Sequence, residues 1–328
     1  MIPPDRVSRE LHISDRTSDG GASAAGSGSD PTGGGSVHGF SVRSELPSPF
    51  VYLRDGNGEP LRIRGGPPPS EPGRLLTTLT HLRGSKTRVY EGDGRYAVHF
   101  ERGGWFTIEP DRSTITIPLD PLQPRLEGLV WGLPTALLVL SAGGLFFHAA
   151  GVEINGRAVI LTGPTHHGKT TLAGALAAAG YRLLAEDLLR VRVGSPTLVY
   201  PGPAMIRLRR DVAEWLSIPG ATRVDEDLEK IHYALAPHHR GTADPIPLAG
   251  VFLLHPGATP ALEPLPATAT IQHLWVGSLN IPTTTGRARC FHQIVDLAES
   301  TPVWKLSRPV TPEALEDTMS LIVSVVGP

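Results

Sequence analysis

The stretch GPTHHGKTT, Gly163 to Thr171, carries the spacing G-x-x-x-x-G-K-T, which suits one task above others, the holding of phosphate. In such a loop the backbone amides of Gly163, Pro164, Thr165, His166, His167, Gly168, Lys169, Thr170 and Thr171 (all but the proline's) line a nest at a helix N-terminus. There the helix dipole favours negative charge. The Lys169 ammonium then reaches the β- and γ-phosphates, and the Thr170 hydroxyl is a ligand for Mg²⁺. Only amides need face phosphate at positions 166 and 167, so histidine side chains are tolerated; His166 costs about 1 kcal/mol if its φ is positive.

Glu186 and Asp187 follow at the end of the apolar run RLLA. An acid at the C-terminal end of a strand facing such a loop is where phosphoryl transfer needs its metal carboxylate. A second acid beside it can serve as the base that activates an accepting hydroxyl.

Positioning these groups is work for a strand and a helix, and the sequence supplies both. AVIL precedes the loop, and the Ala-rich LAGALAAAG after it reads as a helix ending at Gly180. FFHAAGVEINGRAVILTG reads as two strands joined by Asn155-Gly156, a two-residue turn that tolerates positive φ. A helix is expected over 125–140, strands at RLLAED, LRVRV, TLVY, LAGVFLLHP and PVWKL, and helices at IQHLWVGSL, ARCFHQIVDLAES and TPEALEDTMSLIVSVV, the last capped by Thr311 before Pro312. Such alternation predicts an α/β fold with a phosphate-loop nucleotide-binding core over 125–328. Before it, 39–124 reads as a small β-rich N-terminal lobe. FSVRSEL, PFVYLRD and the hairpin-like run from Gly92 to Asp120 alternate apolar and polar residues, and PPPSEPG is a stiff loop. Residues 1–38, rich in Gly and Ser, have too little apolar area to offset ordering entropy and read as a disordered tail.

Composition narrows the function classes. The chain has 328 residues, 40% of them hydrophobic, and a formal net charge of -2 without a long single-sign run, which gives no electrostatic case for nucleic acid or an anionic membrane. The most apolar stretch, Gly128 to Phe147, is broken by Pro134 and a Gly-Gly pair and reads as a buried helix followed by a strand. No signal-peptide core opens the sequence, and Cys290, the single cysteine, fits a reducing, cytoplasmic setting and a half-buried place on a helix. The pairs His166-His167 and His238-His239 lack partners at zinc spacing.

The run from His148 through AVILTGPTHHGKTTLAGALAAAGYRLLAED resembles the catalytic domain of HPr kinase/phosphorylase. It is more similar still to the HPr-kinase-related peptide serine kinases of peptide-modification systems, including those of lasso peptide biosynthesis. The resemblance spans roughly residues 90 to 320 and is specific from 148 to 187, with weaker echoes in YPGPAMIRLRRD and FHQIVDLAESTPVWKL. It implies Glu186 as base and Asp187 as metal ligand, with Glu standing where the family carries a first Asp. It also implies that His148 lies near the phosphates or orients the acid, and that Arg207 or Lys230 stabilises charge on the transferring group; a hydrogen-bonded structural histidine and, for Arg209, Arg210 and Lys230, solvated surface charges are the alternative readings. The family prefers glycine at the position of His166.

These readings lead to an ATP- and Mg²⁺-dependent kinase that phosphorylates a hydroxyl of a peptide or small protein, and they allow a homo-oligomer. A small-molecule hydroxyl kinase and a non-catalytic nucleotide-binding partner of a modification system are the alternatives. The polar segment 236–247 is a candidate lid.

Overall fold

The structure is a computed structural model that describes residues 35–46, 50–80, 84–118, 124–281, 283 and 286–327. Most of the expected tail lies outside them. Its last residues do not behave as a tail: Gly35–Val37 is a strand, and residues 35–38 are buried.

The N-terminal part is one eight-stranded sheet. Its strands are β1 (Gly35–Val37), β2 (Phe40–Ser44), β3 (Glu59–Gly65), β4 (Arg74–Thr80), β5 (Lys86–Gly92), β6 (Arg95–Phe100), β7 (Gly104–Glu109) and β8 (Thr114–Ile117), ordered β1-β2-β3-β8-β7-β6-β5-β4. The alternation seen in the sequence puts Val98, Phe106, Ile108, Ile115 and Ile117 at zero exposure in a shared core. The strand expected at PFVYLRD begins outside the described residues, and its described part, 50–55, is instead irregular chain touching β1 through a single bridge, Ser36 to Arg54.

Two short helices follow, α1 (Pro124–Val130) and α2 (Leu133–Ser141), in place of the one helix expected over 125–140. The break falls where Gly132 takes a non-helical backbone and Pro134 begins a fresh helical turn. Val130 of α1, Trp131 between the helices and Leu137 of α2 are buried in the N-terminal core, so the boundary expected at residue 124 does not separate two cores.

The remaining strands are β9 (Leu145–His148), β10 (Ala150–Ile154), β11 (Arg157–Thr162), β12 (Arg182–Ala185), β13 (Leu188–Arg192), β14 (Leu198–Tyr200), β15 (Met205–Arg209), β16 (Thr222–Glu226), β17 (Lys230–Ala234), β18 (Ile246–Pro256), β19 (Ala261–Pro264) and β20 (Val303–Arg308). The helices are α3 (Lys169–Ala178), α4 (Arg210–Ala213), α5 (Pro237–Arg240), α6 (Ala267–Gly277), α7 (Gly286–Ser300) and α8 (Leu315–Val326). Nine of the strands form a mixed sheet in which β11, β18 and β20 run parallel; β15, β17 and β16 form a separate three-stranded sheet. The Asn155-Gly156 turn has both residues at positive φ (51° and 74°) and joins β10 to β11 in register.

Strand β11 shows how the core positions the site. Val159 and Leu161 face one side, packing with Leu172 and Leu176 of α3 and Ile322 of α8. Ala158 and Ile160 face the other, packing with Leu274 of α6 and Ile294 of α7. Each fully buried leucine of α3 contributes about 1.5–3 kcal/mol relative to exposure. Thr311 makes no side-chain cap; a short 3-10 turn at Pro312–Ala314 leads into α8. Among the described residues no helix is long and apolar enough to cross a membrane.

Candidate functional site

The loop from Gly163 to Gly168 leaves the C-terminal end of β11 and enters α3 at Lys169. Gly163 sits at φ 141°, and a Cβ there would stand 2.9 Å from the Leu254 carbonyl oxygen, so the loop runs too close to β18 for any side chain. His166 takes φ 67°, the left-handed conformation that costs a non-glycine residue about 1–2 kcal/mol. Pro164, Thr165 and His166 are exposed, whereas the His167 ring turns inward and donates from Nδ1 to the Leu254 carbonyl at 3.1 Å. The Lys169 ammonium reaches back across the loop to the carbonyls of Gly163 (2.8 Å) and Pro164 (3.1 Å). Burial lowers this ammonium from its ordinary value, while Asp187 and Glu186 act in the opposite sense. Thr170 and Thr171 form the first turn of α3 behind it.

Glu186 and Asp187 occupy the bend between β12 and β13, held in place by the Ala149 amide donating to the Asp187 carbonyl at 3.0 Å. Their side chains diverge in environment. Glu186 is buried, accepts from the Thr170 hydroxyl at 3.0 Å and from Arg207 Nε at 2.8 Å, and lies 3.5 Å from the Lys230 ammonium. The Asp187 side chain is 47% exposed; its carboxylate meets Arg207 Nη2 at 2.7 Å and His148 Nε2 at 3.3 Å. The His148 side chain is itself 53% exposed, at the end of β9, where it is the register partner of Leu188 on β13. Desolvation would raise both carboxyls. Arg207 and Lys230 outweigh it at Glu186, and Arg207 with His148 and Lys230 holds Asp187 well below the usual carboxylate range.

Arg207 and Lys230 come from neighbouring strands of the three-stranded sheet, β15 and β17, paired so that Arg207 stands opposite His232 and Arg209 opposite Lys230. One guanidinium bridges both acids, a fork that a lysine could not provide. The structure therefore gathers His148, Lys169, Thr170, Glu186, Asp187, Arg207 and Lys230 into one cluster fed by β9, α3, the β12–β13 bend and the small sheet. Arg209 and Arg210 stay outside it: Arg209 pairs with Asp211, and Arg210 with Glu226 at 2.7 Å.

The segment 236–247 is not arranged as a lid. It forms α5 against β12, buries His239 and Ala243, and seats Gly241 against Arg182, at the end of β12 opposite Glu186. Cys290 is fully buried on α7, where burial raises its thiol.

The donor set suits a hard cation that shares its shell with phosphate. Thr170 Oγ1 and Glu186 Oε1 lie 3.0 Å apart, close to the edge of about 2.9 Å expected for an octahedron with Mg–O of about 2.0–2.1 Å. Among the described residues no group of three or more His, Cys, Asp or Glu side chains could hold a metal, so hydroxyl and phosphate oxygens would have to complete the coordination.

One group near the loop has no counterpart in the sequence reading. Arg308, at the last position of β20, is buried beneath His167 and Gly168 and donates to both of their carbonyls. An arginine ending a strand reads as a surface residue, and only the parallel pairing of β20 with β18 brings it under the loop.

No protein-family model and no curated protein matches the chain. Among solved structures, one match is the structure of the Hpr(Ser) kinase/phosphatase from Coxiella burnetii, at 13% identity and a TM-score of 0.29, over 55% of this chain and 93% of that one.

Proposed function

We propose that the chain is a kinase that moves the γ-phosphoryl group of ATP to a hydroxyl, the acceptor being a serine of a peptide or small protein. The observation that carries this reading is the convergence of the loop lysine and threonine with two acids and one bridging arginine. Lys169 and the loop amides hold the phosphates. Thr170 and one carboxylate are the protein ligands for Mg²⁺, which when bound neutralises phosphate charge and orients the terminal group. Arg207 keeps both acids ionised and adds positive charge beside the transferring group.

The environments of the two acids favour exchanging the roles that the resemblance implies. Glu186, buried against the Thr170 hydroxyl, suits the metal side. Asp187, open to solvent and turned to His148, suits the base, since a hydroxyl arriving from outside meets it first. His148 then steadies the Asp187 carboxylate. The openness of this pair also favours a chain over a small metabolite, because a peptide needs an accessible ledge and a metabolite an enclosing pocket. The roughly 940 Å³ cavity between Arg74 and Gln293 contains none of the site residues.

The test is incubation of the full chain with Mg²⁺, γ-labelled ATP and a pool of serine-containing peptides. Label on peptide serine is expected, with a loss of about 10²–10⁴-fold in transfer for Asp187→Asn while ATP affinity is kept. Label on small molecules alone selects the metabolite kinase. ATP binding with no transfer to any acceptor, unchanged by Asp187→Asn, leaves only the nucleotide-binding partner.

A further inference from the structure

Arg308 is 2% exposed, and its surroundings are unusual for a buried cation. Nη2 donates to the carbonyls of His167 at 3.3 Å and Gly168 at 3.4 Å, Nη1 donates to the Pro309 carbonyl at 3.0 Å, and Nε has no partner. No carboxylate among the described residues pairs with it. Burial lowers the guanidinium from its ordinary value, with no acidic neighbour acting the other way. A buried charge without a counter-charge is costly, several kcal/mol after relaxation, and an apolar side chain would fill the same place without that cost.

The planarity of the peptide group extends this contact to the other side of the loop. In a trans peptide the carbonyl of one residue and the N–H of the next point in opposite directions. A guanidinium seated on the carbonyls of His167 and Gly168 therefore favours amides of Gly168 and Lys169 that point away from it. At Gly168 it acts together with the Leu172 amide, which donates to the same carbonyl at 2.9 Å as α3 begins, and at His167 it is the contact that orients the peptide toward the nest. Gly168 makes the seat possible. It lies at φ 79°, and a Cβ there would stand 2.2 Å from Arg308 Nη2.

We propose that Arg308 is a positioning residue for polyphosphate: it aims the loop amides at the ligand, and its unpaired charge is compensated by the phosphates of a nucleoside di- or triphosphate. The proposal rests on the reading that Gly163–Thr171 binds nucleotide and is independent of whether a phosphoryl group is then transferred. A residue that only braced the fold would affect all nucleotides alike. A residue that contributes charge to the nest affects them in proportion to their phosphates.

The experiment measures dissociation constants of ATP, ADP and AMP, with Mg²⁺, for the full chain and its Arg308→Gln and Arg308→Lys variants by titration calorimetry. Arg308→Gln is expected to weaken ATP and ADP by roughly ten- to hundred-fold and AMP much less, with a shallower salt dependence for ATP. Arg308→Lys, which keeps the charge and loses the fork, is expected to recover part of the ATP affinity while its ATP-to-AMP ratio stays below that of the unaltered chain. An unchanged ratio in the variants overturns the proposal. If Arg308→Gln does not fold by circular dichroism, the ratio in Arg308→Lys decides alone. An unaltered chain that binds no Mg-ATP overturns the nucleotide reading itself, before any substitution is compared.

Discussion

Two glutamates of this chain are almost equally hidden and behave in opposite ways. Glu127 on α1 is 1% exposed and Glu186 is 5% exposed. Glu127 accepts from the backbone amides of Val51 and Tyr52, each at 2.8 Å, and from the Trp131 indole at 3.0 Å. All three donors are neutral, and burial wins: the carboxyl is pushed up to about 7. Glu186 has one neutral donor, the Thr170 hydroxyl, and two cations, and it stays ionised. Hydrogen bonds alone thus satisfy a buried acid without securing its charge, and full charges secure it. The first arrangement is a staple for irregular chain around Tyr52; the second keeps a charged carboxylate ready for a partner.

Removing the cation should hurt most. Arg207→Met leaves a buried, weakly paired carboxylate, and a loss of about 3 kcal/mol in unfolding free energy is expected from urea titration. Adding Glu186→Gln to that variant should restore part of the loss, and additive losses would break the contrast drawn above. A smaller effect is expected at Glu127. Its folded value of about 7 lies above the unfolded value of about 4.3, so its stabilising contribution is complete below about pH 4 and is lost as pH rises through 7. Melting temperature should fall between about pH 5 and about pH 8, and by a few degrees less in Glu127→Gln; equal slopes would show that neutral donors hold the charge after all. The smallest effect belongs to the exposed pair of Arg209 and Asp211, where Asp211→Asn should shift stability by less than about 0.5 kcal/mol in the same titration.

The local parts of the site were legible in the sequence. Strand, loop and helix around Gly163–Thr171 follow from spacing and periodicity, and the Asn155-Gly156 turn follows from two residues that tolerate positive φ. The pairing of Arg207 with Glu186 and Asp187 was not legible as geometry. It spans 21 residues and depends on a separate small sheet docking beside the large one, and Lys230, on the neighbouring strand of that small sheet, enters the cluster by the same docking. Strands β3, β4 and β5 carry mixed polar sequences such as RLLTTLT, whose pairing is decided by neighbours across the sheet, and they gave no clear signal of their own. The single helix expected over 125–140 failed for a local reason visible in hindsight, a glycine and a proline within three residues.

Arg54 has a consequence for how far this molecule can be divided. It is buried in the irregular chain after β2, and its guanidinium serves the carbonyls of Leu183 (2.8 Å), Leu184 (3.0 Å) and Gly202 (2.7 Å), the first two just ahead of Glu186. The change of pattern near residue 124 is therefore a change of texture and not a seam. Excision there would strip the strand that presents the acids of its donor and leave carbonyls unmatched at about 1–3 kcal/mol each. The strand, loop and helix around Gly163–Thr171 look like a portable cassette, yet the acids beside them are moored to a residue more than a hundred positions upstream. Fusions and shuffled chains that inherit this site must inherit that mooring too.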